Sequence, residues 1–207
     1  LFVWMGEILF RTRLSENLFK GLSPWMQKLP GGLIHVNVVG CALFAAISGS
    51  SAATVATVGK MSIPELRKRN YPEKILLGSL AGSGTLGLLI PPSIILIIYG
   101  VAVQESIAKL FIAGILPGIM IALIFMSYVI FWSLINKKQM PKIVEEYSIF
   151  EKIKRSKQLL PVIFLISAVI GSIYTGIATA TEAASLGVVG ALILSYFQKS
   201  LTLETFK

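Results

Sequence analysis

Charge is what this sequence is short of. Asp, Glu, Lys and Arg make up 14% of its 207 residues, where a soluble domain carries about 25%. Hydrophobic residues fill 55%, with a mean hydropathy of +0.78, a composition that belongs to a membrane protein. Acids are scarcer still, 10 against 19 Lys and Arg, for a net charge of +9. That excess is not spread over a basic face, so nucleic acid is not an expected partner; it falls in clusters between apolar runs. The single cysteine, Cys41, excludes an internal disulfide and says nothing of compartment. The single histidine, His35, has no acid placed to orient it. A membrane hydrolase built on Ser50 and His35 is therefore set aside, and His35 is expected to be a hydrogen bonder. There is no initiator Met and no signal peptide. The chain opens inside an apolar run, Leu1–Phe10, and ends shortly after another, so a fragment of a longer protein is expected.

One apolar run stands out for what interrupts it. Ile75–Val103 carries no charge at all, yet it contains Gly82-Ser-Gly-Thr-Leu-Gly-Leu-Leu-Ile-Pro-Pro-Ser93. Adjacent prolines remove two backbone donors and disfavour helix in the residue before them. Unwound backbone at membrane depth is tolerated only where it is buried in protein or lines a polar cavity. Secondary transporters use such broken helices to build ion and substrate sites. The same stretch formally matches G-x-G-x-x-G, but a dinucleotide site needs a preceding strand and a following helix, and Ile-Pro-Pro follows here.

Charge sets a topology. Leu1–Phe10 reads as the end of a spanning helix. Arg11–Pro30 is amphipathic, with Leu14, Leu18, Leu22 and Trp25 among Arg11, Arg13, Lys20 and Lys28, and suits the membrane interface. Gly31–Ser48 and Ala52–Gly59 are each short of the ~20 apolar residues a span needs, and both outer flanks are basic. A re-entrant hairpin over 31–59 fits better, its tip at Ser48-Gly-Ser-Ser51. A basic loop follows at 60–74. Ile75–Val103 then crosses outward, and Leu110–Ile135 crosses back after the short connector Gln104–Lys109. Asn136–Gln158 is a second basic loop, Leu159–Gly176 crosses outward, and Ala183–Phe197 returns toward Lys199. Of the 19 basic residues, only Lys109 falls on the outer side.

Hydroxyls and free carbonyls at the hairpin tip suit a hard cation such as Na⁺, and helix ends meeting there would add carbonyls toward a cation and amides toward an anion. Close packing by small residues is the other reading of Ser48–Ser51. Glu182 has two readings as well: an intramembrane acid that lines a cavity, or the acid of a capping box, Thr179-Ala-Thr-Glu182, that opens the next helix. Glu7 is expected to pack against a partner or the interface.

These residues also carry a family resemblance. His35-Val-Asn-Val-Val, Leu43-Phe-Ala-Ala-Ile-Ser-Gly-Ser-Ser51, Gly84-Thr-Leu-Gly-Leu-Leu-Ile-Pro-Pro-Ser93 and Lys109-Leu-Phe-Ile-Ala-Gly-Ile-Leu-Pro-Gly118 together resemble the large membrane subunit of tripartite ATP-independent periplasmic (TRAP) transporters. Gly176-Ile-Ala-Thr-Ala-Thr-Glu-Ala-Ala184 is similar to the family's G-x-A-T-P-T-E-A-A element, with Ala180 where Pro is usual. The resemblance implies an all-α, multi-pass protein of the bacterial inner membrane. It implies the first half of an inverted-repeat, elevator-type transporter, with residues 159–207 opening the second repeat. It implies Na⁺ as coupling ion and no cofactor, a small four-helix membrane subunit, and a periplasmic binding protein that delivers an organic acid. It places a first Na⁺ site at Ser48 and Ser51 with carbonyls near Gly87, Ile90 and Pro92, and Ser50, Gly84, Thr85 and Ser93 beside it along a substrate cavity. A dicarboxylate or anion carrier of related architecture, working without a binding protein, is the alternative.

Overall fold

The computed structural model describes residues 1–12, 14–141 and 147–197, with their side chains except at 14–16. Arg13, Lys142, Lys199 and the side chain of Leu14, all named above, lie outside the described residues. The helices are α1 (Phe2–Phe10), α2 (Leu14–Met26), α3 (His35–Ser48), α4 (Ser51–Lys68), α5 (Glu73–Gly84), α6 (Ile94–Val103), α7 (Ile107–Ile135), α8 (Ile149–Ser156), α9 (Leu160–Tyr174) and α10 (Ala180–Phe197). Among the described residues there is no strand.

Helix α3 is the centre of the molecule. Val36, Asn37, Val38, Cys41, Phe44, Ala45 and Ile47 are all fully buried, because α1, α2, α4, α5 and α7 pack around it. This accounts for a segment apolar on every side rather than on one stripe. Helices α3 and α4 are joined by Gly49 and Ser50 alone, so they fold back as a hairpin, and a Cβ on Gly40 would touch Val58 at 3.6 Å across it. Gly49 is the left-handed residue (φ +59°) that ends α3.

Helix α4 does not stop where the basic segment begins. It runs through Lys60 and Pro64 to Lys68, because Val58, Ser62 and Leu66 keep a buried stripe at helical spacing. Arg67 and Lys68 fall in its last turn, where cations favour the helix dipole. The connection to α5 is short, and Asn70 takes the left-handed conformation with Tyr71 N–H bonded to the Leu66 carbonyl at 3.1 Å.

Helix α2 buries Leu18 and Leu22, while Trp25 is exposed. Glu7 pairs with Arg11, the residue that caps the end of its own helix, at 2.8 Å. Among the described residues, three helices are long and apolar enough to cross a membrane: Ile107–Ile135, Ile149–Tyr174 (α8, a 3₁₀ turn and α9 together) and Ala180–Phe197. Their outer faces are bare and apolar, Leu116, Phe131 and Phe164 among them, as lipid-facing surface must be. The molecule is an all-helical membrane protein.

Candidate functional site

The run Ile75–Val103 is broken, and its chemistry explains where. Helix α5 ends at Gly84, a 3₁₀ turn covers Thr85–Leu88, irregular backbone follows, and α6 starts at Ile94. In a continuous helix the Gly87 and Leu88 carbonyls would accept from residues 91 and 92. Those residues are Pro91 and Pro92, joined by a cis peptide bond, and they have no N–H to give. The Ser93 hydroxyl replaces one missing donor, bonding the Leu88 carbonyl at 2.6 Å, and the same oxygen caps α6 by accepting from Leu96 N–H at 3.5 Å. The carbonyls of Gly87, Ile90 and Pro92 accept no hydrogen bond among the described residues.

The hairpin tip docks on this break, backbone against backbone. The Ile94 N–H donates to the Gly49 carbonyl at 3.3 Å. A Cβ on Gly49 would run into the Pro92 carbonyl oxygen, and one on Gly87 would lie 2.9 Å from both Ser50 C and Ser51 N. Four helix ends therefore gather here. The carbonyl ends of α3 and of the α5–3₁₀ segment carry partial negative charge, and the amide ends of α4 and α6 carry partial positive charge. Such a junction can hold a cation with an anion beside it.

Hydroxyls line the tip. Ser48 is fully buried, and its Oγ lies 3.1 Å from Thr54 Oγ1 and donates to the Ser50 carbonyl at 3.3 Å. Thr54 Oγ1 also donates to the Ser50 carbonyl, at 2.8 Å. Ser50 Oγ caps α4 by accepting from Ala53 N–H at 3.4 Å. Ser51 Oγ is buried and has no partner, an arrangement that costs stability unless a ligand or water meets it.

The structure thus brings Ser48, Ser50, Ser51, Gly84, Gly87, Pro92 and Ser93 together, with Ile90 on the same irregular segment. Thr85 is exposed and bonds the Gly82 carbonyl at 2.6 Å. Glu182 is not tied to this group. It is exposed, and its carboxylate accepts from Thr179 N–H and Thr179 Oγ1, each at 2.8 Å, as a capping box does. Ser50 and His35 sit at opposite ends of α3, a 14-residue helix of about 20 Å, and His35 Nε2 is engaged by the Pro30 carbonyl at 2.7 Å. No nucleophile–base pair forms between them.

Three neighbours of the site are additions to the residues that the sequence singles out. Thr54 is one. Gly6 on α1 is another: a Cβ there would meet Ser48 Cβ at 2.8 Å. The third is a glycine face on α7, where a Cβ on Gly114 would approach the Leu89 carbonyl oxygen at 2.7 Å and one on Gly118 would approach Ile90 Cγ1 at 2.9 Å. The spacing Gly114-x-x-x-Gly118 in an apolar span is the sequence signal for that face. The broken segment is held between the hairpin tip and this face.

Comparison with known proteins agrees with this architecture. The family described as tripartite ATP-independent periplasmic transporter, DctM component, matches residues 1–207. The chain is 35% identical over 196 residues to the C4-dicarboxylate TRAP transporter large permease protein of Pseudomonas aeruginosa, covering 95% of this chain and 45% of that protein. It is 34% identical over 206 residues to the sialic acid TRAP transporter permease protein of Haemophilus influenzae, 99% of this chain and 33% of that one. It is 35% identical over 199 residues to the isethionate TRAP transporter permease protein DctMQ of Oleidesulfovibrio alaskensis, 95% of this chain and 31% of that one. The chain spans less than half the length of each of these relatives.

Proposed function

From the chain's membership of the DctM-component family of tripartite ATP-independent periplasmic transporters, we propose that it is part of the membrane permease of a Na⁺-coupled importer of an organic acid. The observation that carries the proposal is the docking of the hairpin tip on the diproline break, which leaves buried Ser51 Oγ and the Gly87, Ile90 and Pro92 carbonyls without hydrogen-bond partners among the described residues. Unwound carbonyls and carbonyl helix ends are how broken-helix transporters hold Na⁺. Ser48 and Ser51 supply the hydroxyl ligands. In this proposal the hairpin is re-entrant, its tip lies within the bilayer, and it moves with the broken helix as the carrying body of an elevator.

Na⁺ bound there joins tip to break, and its charge offsets that of an organic anion beside the amide ends of α4 and α6. The two affinities are then linked: an ion that improves anion binding is itself bound more tightly by the same factor. The substrate class is a small organic anion, in keeping with the C4-dicarboxylate, sialic acid and isethionate named for the relatives. Its carrier to the membrane is a periplasmic binding protein, and a small membrane subunit completes the permease.

The test uses the full-length protein with its partner subunit in proteoliposomes, supplied with binding protein and labelled substrate. Uptake should require an inward Na⁺ gradient. Ser48→Ala combined with Ser51→Ala should raise the Na⁺ concentration for half-maximal uptake about tenfold or more, as expected for a lost ligand to a charged group worth about 1.5 kcal/mol. An unchanged Na⁺ dependence in the double variant would remove the site. Uptake that persists without any binding protein would favour the self-sufficient carrier instead.

A further inference from the structure

The junction of hairpin and break leaves the basic segment before α9 without a role. Helix α8 opens on its own capping box: Ser148 Oγ accepts from Phe150 N–H at 3.2 Å, and Glu151 Oε2 accepts from Ser148 N–H at 3.1 Å. It passes through one 3₁₀ turn, Lys157–Leu159, into α9. The joint helix Ile149–Tyr174 has 26 residues, about 39 Å at 1.5 Å each, against ~30 Å of hydrocarbon. Lys152, Lys154, Arg155 and Lys157 crowd its first third, so the apolar end fills the bilayer and α8 projects about 9 Å into the headgroup layer.

Two observations support that depth. Trp25 of α2 has an exposed ring, donates Nε1–H to Ser156 Oγ at 2.7 Å, and carries Lys152 Nζ 5.4 Å from its ring centre. A tryptophan with a bonded edge and a bare face suits the membrane–water boundary. The second is a stripe: Ile149, Ile153, Lys157, Leu160 and Phe164 recur at i, i+4, i+8, i+11 and i+15, on one side of a helix. Its four apolar members are exposed by 75%, 51%, 58% and 74%. The face that α9 turns to lipid therefore continues onto α8, with Lys157 in its middle and Lys154 beside it.

The four cations divide by side. Lys152 sits over Trp25, and Arg155 donates to Tyr147 Oη at 3.2 Å and lies 4.3 Å from that ring's centre. Lys154 and Lys157 have no ion pair or hydrogen bond among the described residues, and the nearby Glu151 carboxylate is engaged by the cap.

We propose that α8 stands in the headgroup layer and gathers anionic phospholipid headgroups at Lys154 and Lys157, with Ile153 nearest the top of the acyl chains. Long ammonium side chains bury their stems and keep their heads at the phosphate level, and each basic residue near an anionic surface favours such lipids about fivefold.

The complete permease, exchanged into phosphatidylglycerol or phosphatidylcholine and released in detergent, tests this by native mass spectrometry of the lipids it retains. Wild type should retain phosphatidylglycerol preferentially. Lys157→Gln should reduce that preference about fivefold, and Lys154→Gln with Lys157→Gln about 25-fold, while Lys109→Gln leaves it unchanged. Both lysines are exposed, so the variants should fold, and a double variant with undiminished preference overturns the proposal. A nitroxide at Ile153→Cys, on the exposed stripe next to the hydrocarbon boundary, supplies the second arm in bilayers. Collisions with oxygen should exceed those with a water-soluble nickel chelate. Dominance of the chelate would put α8 in water, and protection from both would put a protein over it; either outcome overturns the lipid assignment.

Discussion

The stretches Gly84–Ser93 and Gly176–Glu182 interrupt apolar helix with the same vocabulary of Gly, Thr and helix-starting caps, and they end differently. At the first, another backbone occupies the space that a Gly87 side chain would need, with Ser50 and Ser51 at 2.9 Å. At the second, a Cβ on Gly176 would meet nothing within 4 Å, and glycine is needed only for its φ of +71°. The first break bonds across elements, Ile94 N–H to the Gly49 carbonyl, and leaves carbonyls over. The second closes on itself, through Gly176 N–H to Ile173, Ala178 N–H to Ser172 and Thr179 to Glu182. A break whose polar groups are satisfied locally is a turn. A break that docks a second element and keeps oxygens in reserve has the groups that the proposed Na⁺ site calls for.

Gly87→Ala should do the most damage. The new methyl meets backbone atoms that cannot rotate away, so the hairpin tip must shift, at about 1–3 kcal/mol of overpacking. Uptake in proteoliposomes should fall at least about tenfold, since Å-scale misplacement of binding groups is costly. Near-normal uptake would show that the tip does not need its seat on the break. Ser93→Ala comes next. It orphans the Leu88 carbonyl and uncaps α6 together, for about 1–3 kcal/mol by thermal melting, and Ser93→Thr should restore most of it. Gly176→Ala is weaker still: the strained left-handed residue should cost about 1–2 kcal/mol with uptake retained. Equal loss of uptake in Gly87→Ala and Gly176→Ala would erase the distinction between the two breaks.

Part of this arrangement is legible in local chemistry alone. The diproline announces its own break, because lost donors are a property of two residues. Basic flanks on both sides of 31–59 imply that this segment folds back; α3 and α4 do fold back on each other at Gly49–Ser50, though α4 runs on to Lys68. What depends on neighbours is hidden in the sequence. Gly6 against Ser48, Thr54 on the Ser50 carbonyl and the Gly114/Gly118 face matter only once α1, α4 and α7 are known to surround the site. Charge at Lys60 makes α4 look shorter than it is, because it masks a buried stripe that continues to Leu66. The cations of 152–157 likewise make α8 look like loop, although Ser148-x-x-Glu151 is a helix-start signature.

The smallest expected effect is also the sharpest discriminator. Glu182 is the one acid in the second break, and the one group there that would bring a full negative charge to an ion. Its carboxylate instead serves Thr179 within its own turn, accepting from the backbone N–H and the hydroxyl. Gln at 182 keeps an oxygen for that N–H and loses only the charge that favours an α10 N-terminus. Glu182→Gln should therefore leave uptake and its Na⁺ half-saturation unchanged, and lower the melting temperature by less than Ser93→Ala does. If Na⁺ half-saturation rises in Glu182→Gln as it should in the Ser48/Ser51 double variant, the second break shares the ion chemistry of the first, and local satisfaction is no guide to which of them binds.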